Sequence, residues 1–308
     1  MTGPKINYIA KVGENKGWRL LGDEPQMQWK ALERYIAENW GKDKAGMKAI
    51  LGCLVKLDAC LMQISRIREF YDKFIQSASD NATKNKGKEF LFVLNGQEAI
   101  ADFESLLLHG RAALDRLTWL VSEKYNSKTQ SYRSLEKILN NFAHKDQKAK
   151  NILEFVNISN SWVLGLLATV GNDESFRDFV AHKIASIEKR VTCFQIHVMT
   201  DGKCILLDCV LDRFPVFKSS TEAVKFLSYL VLNSLATIVE QKVYSIDKYD
   251  SLWENKAVVF ADFVLDEPEN SPLGKNHLRV VSDMNPDNFV LRTRNVRPDI
   301  FNHSIKLL

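Results

Sequence analysis

Two long stretches of this chain repeat apolar residues every three or four positions, and that period demands a pair of long helices. From Met47 to Ile75, the residues Ile50, Leu54, Leu57, Leu61, Ile64, Tyr71 and Ile75 fall on one helical face, with only Arg68 interrupting the stripe. From Gly96 to Tyr125, Ile100, Phe103, Leu107, Gly110, Leu114, Leu117 and Val121 keep the same alternation. Gly110 lies on that stripe, where a missing side chain invites close approach by a neighbouring helix despite its poor helix propensity. Two such helices joined by a connector predict an antiparallel α-hairpin. Between them, Ser77 to Lys88 loses the period and collects Ser, Asn, Asp, Gly and Lys, which predicts an exposed loop. No aromatic residue is interleaved with its lysines for base stacking, so a solvated connector is favoured over a nucleic-acid contact.

The other elements follow from the same kind of pattern. Pro25 to Trp40 predicts a first helix ended by Gly41, and shorter helices are expected at Ser134 to Ala143, Lys148 to Phe155 and Ser161 to Val170. After the breaker Gly171, Asn172 or Asp173 is a natural N-cap for a helix over Glu174 to Ile184. From Glu188 the period shortens: Val191, Phe194 to Val198 and Cys204 to Leu211 are β-rich runs on either side of Asp201-Gly202, a hairpin signal. Ser219-Ser220-Thr221-Glu222 then opens a last long helix through Gln241. Beyond it, Pro268, Pro272, Pro286 and Pro298 argue against long helices, and the short runs Val258 to Leu265 and Phe289 to Arg292 read as extended.

The expected fold class is mainly α, a helical bundle with a small β-hairpin inserted before the last long helix. The expected organisation is an irregular leader over 1–24, a helical domain over 25–245, and an irregular C-terminal extension over 246–308 that packs on the body or on a partner subunit. No internal repeat recurs at a fixed period.

Composition narrows the function classes. Of 308 residues, 45% are hydrophobic and 26% charged, as in an ordinary globular protein, and the net charge of +4 permits a polyanionic partner without demanding one. Cys53, Cys60, Cys193, Cys204 and Cys209 form an odd set with no Cys-x-x-Cys pair and no histidine at zinc-finger spacing, so reduced, buried thiols and no metal are expected. The N-terminal residues hold no signal-peptide core, and the most apolar segment, Val224 to Val239, is interrupted by Lys225, Ser228, Asn233, Ser234 and Thr237. A cytoplasmic protein with no membrane partner is expected. Phosphate-binding glycine loops and a nucleophile elbow are absent, and no cofactor is expected.

Chemistry concentrates in Ser175 to His182, which reads Ser-Phe-Arg-Asp-Phe-Val-Ala-His. Three arginine–histidine pairs share the loose spacing: Arg177 with His182, Arg190 with His197, and Arg297 with His303. Arg190 and His197 bracket a predicted strand, and Arg297 is followed by Pro298, so only Arg177 opens a capped amphipathic helix. On that helix Phe176, Phe179, Val180 and Ile184 cover one arc, while Arg177, Asp178 and His182 share the other. Arg177 and His182 are about 140° apart, so their convergence needs the long arginine side chain or a second subunit. Asp178 precedes His182 by four residues, where its carboxylate can orient the imidazole and raise its basicity.

This arrangement, Arg177, a polar residue, three more positions and His182, resembles the HEPN superfamily, helical bundles whose nucleases carry the Arg-x4-His motif. The resemblance extends from about Pro25 to Gln241 as an order of elements: a long helical hairpin, the motif helix, a β-ribbon and a closing helix. It implies a metal-independent endoribonuclease that uses Arg177, Asp178 and His182, cleaves RNA by 2′-hydroxyl attack and leaves a 2′,3′-cyclic phosphate. It further implies a homodimer with two motifs at its interface, and a setting in toxin–antitoxin or phage defence with an antitoxin or regulatory protein as partner. The alternative is a non-catalytic HEPN-like module that binds RNA, a nucleotide or a protein.

Two other clusters are weaker. Arg111 and Asp115, within His109-Gly110-Arg111-Ala112-Ala113-Leu114-Asp115, form an i,i+4 pair that reads as a helix-surface ion pair worth a few tenths of a kcal/mol before any role beside an active site. Arg292, Arg294 and Arg297 with Phe289 and Phe301 make a basic-aromatic cluster suited to an RNA backbone or to an acidic surface of the same fold.

Overall fold

A computed structural model of the protein describes residues 17–84, 88, 90–127, 131–167, 190–191, 193–198, 203–207, 209–211, 214–252, 263–265, 276–278 and 280–283. The described residues are mainly helical. In chain order they form α1 (Asp23–Asn39), α2 (Lys44–Lys84), β1 (Phe90–Asn95), α3 (Gln97–Lys124), α4 (Leu135–Phe142) and α5 (Gln147–Leu166). There follow β2 (Arg190–Val191), β3 (Cys193–Val198), β4 (Lys203–Leu207), β5 (Val210–Leu211), β6 (Phe214–Pro215) and α6 (Val216–Ile238). The last strands are β7 (Phe263–Leu265), β8 (Asn276–Leu278) and β9 (Val280–Asp283), with short 3-10 turns at Gly17–Leu20, Tyr132–Ser134 and Ile246–Leu252.

The chain divides into two compact units, each made of three stretches: Met1–Ser65, Glu104–Ile184 and Glu222–Leu252 in one, and Arg66–Phe103, Ala185–Thr221 and Trp253–Leu308 in the other. In the first unit, α2 and α3 run antiparallel along small side chains. The Cys53 thiol lies 3.9 Å from the Ala113 carbonyl and the Cys60 thiol 3.6 Å from that of Leu106. Both thiols are buried and free, and burial pushes the Cys53 thiol up to about 12, so it stays protonated. Gly110 does what its place on the stripe suggests: a Cβ there would stand 3.2–3.3 Å from the side chains of Leu167 and Leu227.

A buried polar knot joins α1 to α6 and the turn beyond it. Gln28 Nε2 donates to Asn233 Oδ1 and to the Lys242 carbonyl, both at 2.9 Å, and the Tyr249 hydroxyl donates to Gln28 Oε1 at 2.7 Å. Asn233 Nδ2 in turn donates to the Tyr244 carbonyl at 2.8 Å. Every member is partnered, which is what makes a buried polar group tolerable in an apolar core.

In the second unit the core is aromatic. Phe194 is fully buried, with ring centroids of Phe70, Tyr71 and Phe74 at 5.3, 5.6 and 5.4 Å, and Tyr71 stacks on Phe217 at 4.2 Å. Phe194 comes from β3, in an antiparallel four-stranded sheet ordered β1-β3-β4-β9. The expected hairpin is its centre, with Gln195 opposite Leu207 and Val198 opposite Cys204. β1, which no periodicity announces, pairs with β3 from Phe90↔Val198 to Asn95↔Cys193. A three-stranded sheet β2-β5-β6 and the pair β7-β8 complete the strands among the described residues.

Several expected boundaries move, each for a visible reason. The loop expected from Ser77 is helical to Lys84, because Gln76 donates to Asp80 Oδ1 at 2.9 Å and Asn81 to the Ser77 carbonyl at 2.8 Å, one turn apart. The two helices expected before and after Asn160 are the single helix α5, since its polar residues find partners: Ser159 Oγ donates to the Phe226 carbonyl and the Tyr132 hydroxyl to Asn160 Oδ1. Helix α6 starts at Val216, and Ser220 and Thr221 donate back to the Phe217 carbonyl from within its first turns instead of capping it. The run from Cys204 to Leu211 is two strands in two sheets, divided where buried Cys209 accepts the Val216 N–H at its carbonyl.

The joint between β1 and α3 is tight. Asn95 Oδ1 accepts the Gln97 N–H at 3.0 Å, and a Cβ on Gly96 would collide with Cys209 Sγ and stand 3.0 Å from the Phe194 ring. Gly96→Ala should therefore cost about 1–3 kcal/mol in chemical denaturation through overpacking. Gly41→Ala, with nothing near its Cβ position, should stay within about 0.5 kcal/mol of the parent.

Candidate functional site

Arg177, Asp178 and His182 lie outside the described residues, as does the helix expected over Glu174 to Ile184. So do Arg297 and His303, and the cluster Arg292, Arg294, Arg297, Phe289 and Phe301. Of the competing arginine–histidine pairs, Arg190 and His197 are described, and they belong to different strands in different sheets. Arg190 is opposite Leu211 in β2-β5, and His197 is opposite Leu91 and Ile205 in the four-stranded sheet. This spacing therefore carries no helical motif.

One polar cluster among the described residues is centred on Arg111. Its side chain is only 13% exposed, and its guanidinium reaches three separate pieces of chain. Nε donates to both carboxylate oxygens of Asp115 at 3.1 and 3.0 Å, one NH2 group donates to the Leu167 carbonyl at 3.1 Å, and the other to Ser131 Oγ at 3.1 Å. Asp115 Oδ1 also accepts the Tyr132 N–H at 3.0 Å. Only the Arg111–Asp115 part is visible as an i,i+4 pair in the sequence. The guanidinium fork makes it a clasp that ties α3 to the chain entering α4 and to the residue after the end of α5.

Two residues before Arg111, His109 is half-buried, and burial followed by the Lys56 charge lowers its pKa, so the imidazole is neutral at neutral pH. Among the described residues no group of three or more His, Cys, Asp or Glu side chains is placed to hold a metal ion. No helix of the described residues is long and apolar enough to cross a membrane.

The most perturbed described carboxylate is one that no motif marks. Asp58, 4% exposed, accepts the Trp18 N–H at 3.2 Å and also bonds the Gly17 N–H. Gly17 packs so closely that a Cβ on it would lie 2.9 Å from the Asp58 carbonyl and carboxylate oxygens. Loss of hydration outweighs the two hydrogen bonds, and the nearby Glu33 charge adds to it, raising the Asp58 pKa from 3.8 to about 6. Its hydrogen-bond partners are backbone groups of the Gly17–Leu20 turn, so the geometry assigns it to fastening that turn.

Two stability measurements test these assignments. Because folding raises the Asp58 pKa, its contribution is fully present below the unfolded value and is lost as pH rises through about 6, a swing of about 3 kcal/mol. Asp58→Asn keeps an acceptor for both N–H groups, so it should be more stable than the parent at pH 7, with the difference vanishing near pH 4 in urea titrations. Arg111→Ala strands the Leu167 carbonyl and should cost about 1–3 kcal/mol, and Arg111→Lys, which lacks the fork, should recover only part of it.

No protein-family model, curated protein or solved structure matches this chain.

Proposed function

We propose that the chain is a metal-independent endoribonuclease of the HEPN type, with Arg177, Asp178 and His182 as its catalytic residues. One observation carries the reading: Arg177 and His182 stand in the Arg-x4-His spacing behind a natural helix N-cap, with Asp178 one helical turn before the histidine. A mainly helical chain in which the β3-β4 hairpin and then the long helix α6 follow this segment supports the reading, since that is the expected order of elements.

In this reading neutral His182 takes the proton of an RNA 2′-hydroxyl as the 2′-oxygen attacks the adjacent phosphorus. The new O2′–P bond forms as the P–O5′ bond breaks, and the proton returns to the departing 5′-oxygen, leaving a 2′,3′-cyclic phosphate. Arg177 stabilises charge on the non-bridging phosphate oxygens, and Asp178 holds the imidazole in its working orientation. Two copies of the motif meet at a homodimer interface, which closes the wide angle between Arg177 and His182. The proposed setting is toxin–antitoxin or phage defence, with an antitoxin or regulatory protein as partner.

Purified protein should cut RNA in the presence of EDTA and yield fragments ending in a cyclic phosphate. His182→Ala should lower the rate about 100-fold or more at unchanged helical content by circular dichroism. Cleavage that survives in His182→Ala overturns the mechanism, and RNA binding without cleavage in the parent assigns the chain to the non-catalytic binding modules instead.

A further inference from the structure

We propose that the Gly17–Leu20 turn is a proton-operated latch, seated on α1 and α2 while the Asp58 carboxyl beneath it is neutral and lifted from them when that carboxyl carries charge. The turn, α1 and the part of α2 that holds Asp58 all lie within Met1–Ser65, inside one compact unit. Gly17 closes the seat: a Cβ there would stand 2.9 Å from the Asp58 carbonyl and carboxylate oxygens and from the Leu61 side chain, so the turn lies directly on the acid. The carboxylate in turn holds the Trp18 and Gly17 N–H groups.

The groups around Asp58 are arranged against its charged form. From α1, half-buried Glu33 brings a like charge to it. The cations on this side are engaged elsewhere: Arg19 Cζ stands 5.8 Å and Lys30 Nζ 5.3 Å from the centroid of the Trp18 ring, and the Lys30 charge bears on Glu33. On α2 itself, Lys56 bears on Cys60 and His109, and Cys60 is a buried thiol that the Asp58 charge helps to keep protonated. Among the described residues no lysine or arginine offsets a charge on Asp58. A carboxylate enclosed in this way, beside a second acid, gains by returning to water.

The turn is the part that can give way. Fully buried Trp29, Leu32, Leu57 and Leu61 anchor α1 and α2 in the core, whereas the turn is four residues long. Gln26 Nε2 donates to the carbonyls of Arg19 and Leu21, at 3.2 and 2.5 Å, which makes the Leu21 end a hinge on α1. Toward the Gly17 end, Trp18 Nε1 is buried and finds no hydrogen-bond partner among the described residues. Seating the turn therefore leaves a donor unsatisfied that water serves once the turn lifts, which brings the seated and lifted states closer in free energy. Lifting returns Asp58 to its ordinary 3.8, against about 6 in the seat. The seat is thus fully favoured below the lower value and lost as pH rises through the higher one. This inference needs nothing from the ribonuclease reading.

Amide hydrogen exchange on the full chain, followed by mass spectrometry at pH 5 and pH 7.5 and corrected for the intrinsic exchange rate, tests the latch. The opening equilibrium reported by the amides of Gly17 to Leu21 should rise about tenfold between the two pH values. Low concentrations of urea should leave that opening unchanged, because a lifted turn exposes little surface, while they promote exchange of Leu57 to Ile64 in the core of α2. Asp58→Asn should flatten the rise to less than about twofold, since no carboxyl remains to titrate. Glu33→Gln, which keeps Asp58 and removes the like charge beside it, should give a rise smaller than the parent's. Absence of a rise in the parent would overturn the proposal, as would a rise that survives in Asp58→Asn or is undiminished in Glu33→Gln. So would exchange of the turn that follows urea together with Leu57 to Ile64, because the turn would then open only when the core does. None of these outcomes depends on RNA cleavage, so failure here is distinct from failure of His182→Ala.

Discussion

Long helices pack closely only where both can offer small side chains, and the seam between α2 and α3 is built on that limit. Cys53 and Cys60 are small enough to set their sulfur atoms against the carbonyls of Ala113 and Leu106. Gly110 leaves the room that Leu167 and Leu227 fill. A larger residue at any of these places would crowd its neighbours, because interiors are packed to crystal density with little slack to absorb it. Within that unit, the end of α5 reaches its position through Leu167 on Gly110 and through the Leu167 carbonyl on Arg111. The same residue is thus held by packing on one side and by a charge-assisted hydrogen bond on the other.

What the sequence reveals and what it hides divide along the range of the interaction involved. The stripes of α2 and α3, the Asp201-Gly202 hairpin and the helix after it are local patterns, readable from residues within one or two turns of each other. The four-stranded sheet is not, since pairing Phe90 with Val198 spans more than a hundred residues and nothing in Phe-Leu-Phe-Val-Leu-Asn names its partner. Boundaries failed where polar side chains found partners that keep a helix going. Asn81 bonds one turn back and Asn160 receives the Tyr132 hydroxyl, so stretches that look like breakers are not.

The candidate site follows the same division. Arg177, Asp178 and His182 are legible as spacing and helix phase alone, which is why they enter from the sequence and remain a proposal. Arg111 is legible only in half, as an ion pair with Asp115, because its contacts with Ser131 and Leu167 depend on the turn of the chain. Asp58 is not legible at all. Its shift comes from being enclosed and from two backbone donors near the start of the described chain, features that no motif encodes.

The interleaving of the two units bears on how the chain is made. One unit takes Met1–Ser65, Glu104–Ile184 and Glu222–Leu252, and the knot that ties Gln28 to Asn233 and Tyr249 joins the first of these stretches to the last. A ribosome therefore has to deliver the chain through Tyr249 before that core can close. Until then, helices that belong together wait with their apolar faces uncovered, separated by sequence that belongs to the other unit. Such an order of synthesis favours slow, late folding and dependence on chaperones that shelter incomplete chains.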